Sequence, residues 1–89
     1  MARVLAFQID GVSCWFWSND HEPPHFHAKR AGEWEVSVRF LEARSRMILL
    51  KWSKRKLSRQ ETKTLVENSE KFRAELLDQW EKIQEQNNE

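Results

Sequence analysis

The 89-residue sequence contains one cysteine, two glycines, two prolines and no tyrosine. The single cysteine, Cys14, excludes an intrachain disulfide and any zinc site built from several cysteines, and it fits a reducing compartment. Apolar runs are also short, because the run at residues 4–7 ends well before a signal peptide or a membrane span would be complete. We therefore expect a cytoplasmic protein with no membrane segment.

The length and the aromatic content together indicate how the chain gains stability. We expect residues 1–89 to form one domain, because the chain is too short for two. A chain of this size buries only about 60 to 65% of its unfolded surface. Its five tryptophans and five phenylalanines should therefore dominate the core, and a homodimer is a further expected way of burying surface.

Apolar patterns predict four strands, over residues 4–9, 12–17, 34–40 and 47–52. The Asp10-Gly11 pair predicts a tight hairpin between the first two strands, and residues 28–32 are expected to form a turn. The aromatic residues at positions 15–17 are interpreted as core, with exposure to a partner as the alternative.

A helix is predicted to follow the sheet. Ser58 with Glu61 forms a capping-box pattern, and apolar residues then recur at helical spacing as far as Ile83. Asn68-Ser69 is a weak point in this pattern. The predicted fold class is α+β, with an antiparallel sheet of about four strands (about residues 3–53) packed against one long C-terminal helix (about residues 58–84) and a frayed tail at residues 85–89.

The net charge of +1 conceals a basic stretch at residues 39–59, which has eight basic residues and one acidic residue. The candidate binding residues in this stretch are Arg44, Arg46, Lys54 and Arg55, which could meet RNA phosphates or the acidic surface of a partner. The alternative is a solvated strand edge whose charges discourage edge-to-edge pairing.

Residues 20–27, which we call the His/Pro segment, hold all three histidines and both prolines. Each proline fixes its own φ and favours an extended residue before it, so the segment should be stiff and non-helical. In an extended chain, His25 and His27 point to one side and Phe26 points to the other.

A divalent metal ion is one candidate cofactor for this segment. His25 and His27 would supply two ligands, and the sequence offers four residues as a third: Asp20, His21, Glu22 and Glu35.

Three other interpretations remain open at this point. His21, His25 and His27 could act as general acid and base in RNA hydrolysis, with the basic stretch holding phosphates. The histidines, with Pro23 and Pro24, could instead form a surface for a protein partner. The third interpretation is that they only satisfy hydrogen bonds at a strand end.

Residues 19–28, with the aromatic strand before them and residues 75–80 about fifty positions later, resemble the small prokaryotic proteins of domain-of-unknown-function family 4160. The family's signature falls on His21, Pro23, Pro24, His25 and His27. The resemblance implies a cytoplasmic single domain, encoded next to a second small protein with which it forms a toxin–antitoxin-like pair, and it brings no established activity.

The working hypothesis is a small interaction protein from such a pair, with the His/Pro segment as its functional surface. An RNA- or metal-dependent hydrolase is the alternative.

Overall fold

Five antiparallel strands follow one another across a single sheet in the computed structural model, which describes residues 1–87. They are β1 (Ala2–Arg3), β2 (Ser13–Phe16), β3 (Phe26–Arg30), β4 (Trp34–Val38) and β5 (Ile48–Ser53). Each strand pairs with the next along the chain, so β1 and β5 are the edges. The predicted α+β class with an antiparallel sheet is confirmed, but there are five strands rather than four.

Two of these strands, β1 and β3, were not predicted, and β3 occupies most of the region predicted as a turn. Phe26 and Ala28 are fully buried, whereas Lys29 and Arg30 are half-buried. The small Ala28 and the two basic residues weaken the alternating pattern in the sequence, and pairing with β2 and β4 on both sides supplies the strand's stability instead. The turn itself is confined to the residues around Gly32, whose φ of +77° suits glycine.

The prediction of a strand at residues 4–9 is wrong. Val4 is buried but Leu5 is 76% exposed and Phe7 is half-buried, so this segment does not alternate between two faces of a sheet. The predicted Asp10-Gly11 turn is present, since the Val12 N–H donates to the Ile9 carbonyl at 3.1 Å and Gly11 has a φ of +72°.

Residues 1–87 contain three helices: α1 (Arg44–Met47), α2 (Arg59–Lys71) and α3 (Arg73–Asn87). The predicted capping box is confirmed at the start of α2, where the Glu61 N–H donates to Ser58 Oγ at 3.0 Å and the Ser58 N–H donates to Glu61 Oε1 at 2.7 Å. Among residues 1–87, no helix has the length and apolar character needed to cross a membrane. Residues 88 and 89 of the predicted tail lie outside the described residues.

The single long helix of the prediction is divided at Phe72, where φ is −107° and ψ is 24°. The predicted weak point lies in the turn just before this break. There, Ser69 Oγ donates to the Leu65 carbonyl at 2.7 Å and the Asn68 side chain donates to the Thr64 carbonyl at 2.9 Å. Such bonds from a side chain to the preceding turn favour bending of a helix.

The two long helices cover one face of the sheet, which we call the inner face. Its fully buried side chains form the core with residues from α2 and α3, and Trp80 lies 6.3 Å from Phe16 between ring centroids. The opposite, outer face carries two rows of residues paired across the strands. The first row is Arg3, Trp15, His27, Ser37 and Leu49, and the second is Ser13, Lys29, Glu35 and Trp52.

Candidate functional site

The His/Pro segment connects β2 to β3 and forms one end of the sheet. His25 lies immediately before β3, and His27 is the second residue of that strand. His21 and Pro23 are exposed, and Pro24 is half-buried. The two histidines predicted to share one side do so, because their ring centroids lie 5.0 Å apart.

The carboxylate of Asp20 lies against both rings. Its Oδ2 is 2.8 Å from His27 Nε2 and 3.4 Å from His25 Nε2. Ligand atoms of these three residues all lie within 4.8 Å of one another, and we call them the histidine–aspartate cluster. In the part of the chain that the structure describes, this cluster does not include the other residues considered as a third ligand: His21, Glu22 and Glu35.

A backbone carbonyl fixes the ring of His25. Its Nδ1 lies 2.8 Å from the carbonyl oxygen of Pro23, and since a carbonyl only accepts, Nδ1–H must donate. In the neutral ring the lone pair is then on Nε2, the atom that faces Asp20. The Pro-Pro sequence therefore does more than stiffen the chain, because its first carbonyl orients the imidazole two residues later.

His27 is buried in the outer face, with 3% of its surface exposed. Its ring stacks on Trp15 with centroids 5.5 Å apart and an interplanar angle of 21°. Burial lowers the pKa of His27, and the hydrogen bond with Asp20 opposes this shift only in part. Within residues 1–87, neither His27 Nδ1 nor Trp15 Nε1 has a hydrogen-bond partner, although both atoms are buried.

Helix α3 supports the cluster from the other side of the segment. The Trp80 ring lies 5.5 Å from the His25 ring, and Gln84 Nε2 donates to the Asp20 carbonyl at 3.3 Å. Trp80 and Gln84 are four residues apart and so share a helix face. Gln84 was not among the predicted site residues, and its four-residue spacing from Trp80 was the available signal for it.

The aromatic strand before the segment divides between the two faces. Phe16 is fully buried in the core, whereas Trp17 is 41% exposed, so the interpretation of residues 15–17 as core is wrong for Trp17. The Trp17 ring contacts Trp15 and His27, with centroids at 6.1 and 6.4 Å. Trp17 therefore extends the outer face beside the cluster.

The candidate binding residues of the basic stretch lie outside the cluster, and two of them form ion pairs within the chain. Arg44 binds Glu70 through two hydrogen bonds of 2.9 and 2.6 Å. Arg55 donates to Glu61 at 2.9 and 3.0 Å and to Glu33 at 2.7 Å. The hydrogen bonds from Arg55 are the main reason that the pKa of Glu61 lies well below its usual range. The two other candidates are exposed: Arg46 and Lys54.

The thiol of Cys14 is too buried to act as a nucleophile or a metal ligand. Cys14 is buried in the core, on the inner face opposite Ala28, with 8% of its surface exposed. Burial raises the pKa of its thiol to about 12, so it stays protonated at neutral pH. The histidine–aspartate cluster is the candidate site, and its Asp20 and His25 side chains are 17% and 16% exposed.

A known protein family matches most of this chain. The family described as "Domain of unknown function (DUF4160)" matches residues 11–81, which include β2 to β5, the His/Pro segment, α2 and most of α3. The chain belongs to this family. Comparison with curated proteins and with solved structures found no match.

Proposed function

We propose that this member of the DUF4160 family is a small interaction protein, one component of a two-gene toxin–antitoxin-like pair. We place the partner on the outer face of the sheet and the adjoining His/Pro segment. The observation that carries the proposal is the exposure of Trp17 (41%), Leu49 (40%) and Trp52 (40%) on the outer face, opposite the face that α2 and α3 cover. Clustered large apolar side chains with a polar rim are typical of interaction surfaces.

Pairing across the strands places Trp15 and Leu49 at the two ends of one row on the outer face. Trp17 contacts the Trp15–His27 stack, and the same row continues through Ser37 to Leu49. At roughly 4.8 Å per strand, Trp15 and Leu49 are about 14 Å apart. This width is suited to a protein partner and is large for a small ligand.

The charge beside this face favours an acidic partner. Strand β5 is an edge, and the exposed basic residues Lys54, Lys56 and Arg59 follow it. A partner with acidic side chains would associate faster with such a surface at low salt. Lys51 adds a charge at the edge, but it is 3.7 Å from Glu35 and is partly balanced by it.

Co-purification with the adjacent gene product tests the proposal. Trp17→Ser and Leu49→Ser should each weaken the complex at least about tenfold, as for the central residues of other interfaces. The matched control is Leu5→Ser, because Leu5 is an apolar residue that is 76% exposed on the N-terminal segment. Equal loss in all three variants, or a complex that tolerates both outer-face changes, would contradict the assigned surface. Self-association that depends on Trp17 would point to a homodimer instead.

The toxin–antitoxin role needs a separate measurement. We expect expression of one gene of the pair to arrest growth and co-expression of the other to restore it. The Trp17→Ser and Leu49→Ser variants should fail in whichever role this chain has. Normal growth under expression of either gene alone would refute the pairing and leave the interaction surface to be judged by co-purification.

The second candidate function is a hydrolase that cleaves RNA or that uses a bound metal ion. The histidine–aspartate cluster is the observation that favours it. Two imidazoles on one carboxylate can transfer protons near neutral pH. His21 is exposed and outside the cluster, so any role would rest on His25 and His27. Cleavage of RNA that is lost in His25→Ala and retained in His21→Ala would establish this function, and inactivity toward RNA with and without added divalent metal would remove it.

A further inference from the structure

We infer that Asp20, His25 and His27 form a binding site for a divalent transition metal of the zinc class, with at least one coordination position open. The inference is independent of the partner surface. The first argument is the position of the ligand atoms. The Nε2 atoms of both histidines approach the same carboxylate oxygen, Oδ2 of Asp20. The set of two imidazoles and one carboxylate suits zinc, cobalt or iron better than calcium or magnesium, which prefer oxygen ligands.

The distances match those of a shared ion. Zinc binds imidazole nitrogen and carboxylate oxygen at about 2.1 Å, so ligand atoms around a tetrahedral ion lie about 3.4 Å apart. The two distances from Asp20 Oδ2 are 3.4 Å to His25 Nε2 and 2.8 Å to His27 Nε2. All ligand atoms lie within 4.8 Å of one another, so the widest separation must close by at most about 1.4 Å to reach the tetrahedral geometry.

The orientation of His25 is the strongest argument for a cation. Because Nδ1–H donates to the Pro23 carbonyl, the neutral ring presents the lone pair of Nε2 to a carboxylate oxygen 3.4 Å away. Two electron-rich atoms in this position repel each other unless a cation binds both. Metal-ligating histidines commonly donate their second ring N–H to a backbone carbonyl, as His25 does. A divalent cation bound by both atoms would remove this repulsion.

Solvent access favours a site with an open position. The side chains of His25 and Asp20 are 16% and 17% exposed, whereas His27 is 3% exposed and rests on Trp15. The buried ring holds one ligand rigidly and the other two border solvent, so water or a group from a partner can reach the ion. Three protein ligands and one open position are the arrangement of catalytic rather than structural zinc sites.

Calorimetric titration of the full chain with ZnCl₂ tests the inference, with Co²⁺ absorbance as a second reading of the ligand geometry. We expect one ion per chain for the wild type. Asp20→Asn and His25→Ala should each weaken binding at least about tenfold. Loss of a residue that only hydrogen-bonds to a metal ligand already has an effect of this size. His21→Ala is the matched control, because His21 is an exposed histidine of the same segment outside the cluster, and it should bind within about twofold of the wild type.

The thermal melt of each variant is recorded alongside the titration. Asp20→Asn preserves the shape of the side chain, so a folded Asp20→Asn variant with lost binding supports the site even if a histidine variant unfolds. The absence of saturable binding of Zn²⁺ or Co²⁺ to the wild type would overturn the inference. Equal affinity in Asp20→Asn, His25→Ala and His21→Ala would also overturn it, since binding would then lie elsewhere on the surface.

Discussion

Replacement of Trp80 by alanine should be among the most destabilising single changes in this protein. Trp80 is 2% exposed and contacts Phe16 in the sheet and His25 in the His/Pro segment. A buried tryptophan removes about 150 to 250 Å² from water, which at roughly 25 cal/mol per Å² corresponds to about 4 to 6 kcal/mol. Alanine retains a small part of this area, and the expected loss of unfolding free energy is about 3 to 5 kcal/mol.

This loss should be evident in both chemical and thermal unfolding. Each kcal/mol lowers the melting temperature of a domain of this size by roughly 4 to 8 °C, so Trp80→Ala should melt at least about 12 °C below the wild type. Trp80→Phe keeps an aromatic ring against Phe16 and should lose clearly less. A loss below about 1 kcal/mol for Trp80→Ala would refute the packing of α3 against the inner face.

Three further changes test the fold around α2. Ser58→Ala removes the helix cap and should cost about 0.5 to 2 kcal/mol in urea unfolding, and an unchanged midpoint would show that the capping box contributes nothing. Arg55→Ser should lower the melting temperature, because Glu61 loses its main hydrogen-bond partner. Lys54→Ser, at the exposed neighbouring residue, should leave it unchanged. Similar melting temperatures for the two variants would refute a stabilising role for the Arg55–Glu61 ion pair. Because the folded-state pKa of Glu61 is lowered, stability should fall as the pH drops below its ordinary value of 4.5, and Glu61→Gln should show a weaker dependence on pH over that range. Identical acid-unfolding slopes for wild type and Glu61→Gln would contradict this assignment.

The sequence was sufficient for the features that depend on local patterns. The alternation around Trp34 predicts β4, and the Ser58/Glu61 spacing predicts the start of α2, because a few neighbouring residues determine each of them. Strand β3 was missed because its pairing with two neighbouring strands, rather than its own pattern, stabilises it. The break at Phe72 likewise depends on side-chain bonds to the preceding turn, which helical periodicity does not reveal.

The candidate site was predictable in composition and unpredictable in geometry. Alternation correctly placed His25 and His27 on one side, but four residues were equal candidates for the third position until the fold selected Asp20. Burial of His27 beneath Trp15 depends on the pairing of β2 with β3, which the sequence does not determine. The same holds for the ion pair of Arg55, whose partner Glu33 is 22 residues away.

The NMR signals of the tryptophan indole N–H groups test most directly the claim that a partner binds the outer face. The sheet divides the five tryptophans into two sets. Trp15, Trp17 and Trp52 belong to the outer side, and Trp34 and Trp80 are buried on the inner side. On titration with the unlabelled proposed partner, we predict that the indole signals of Trp15, Trp17 and Trp52 shift and those of Trp34 and Trp80 change least. Binding that shifts Trp34 and Trp80 while the outer three signals stay in place would contradict the account.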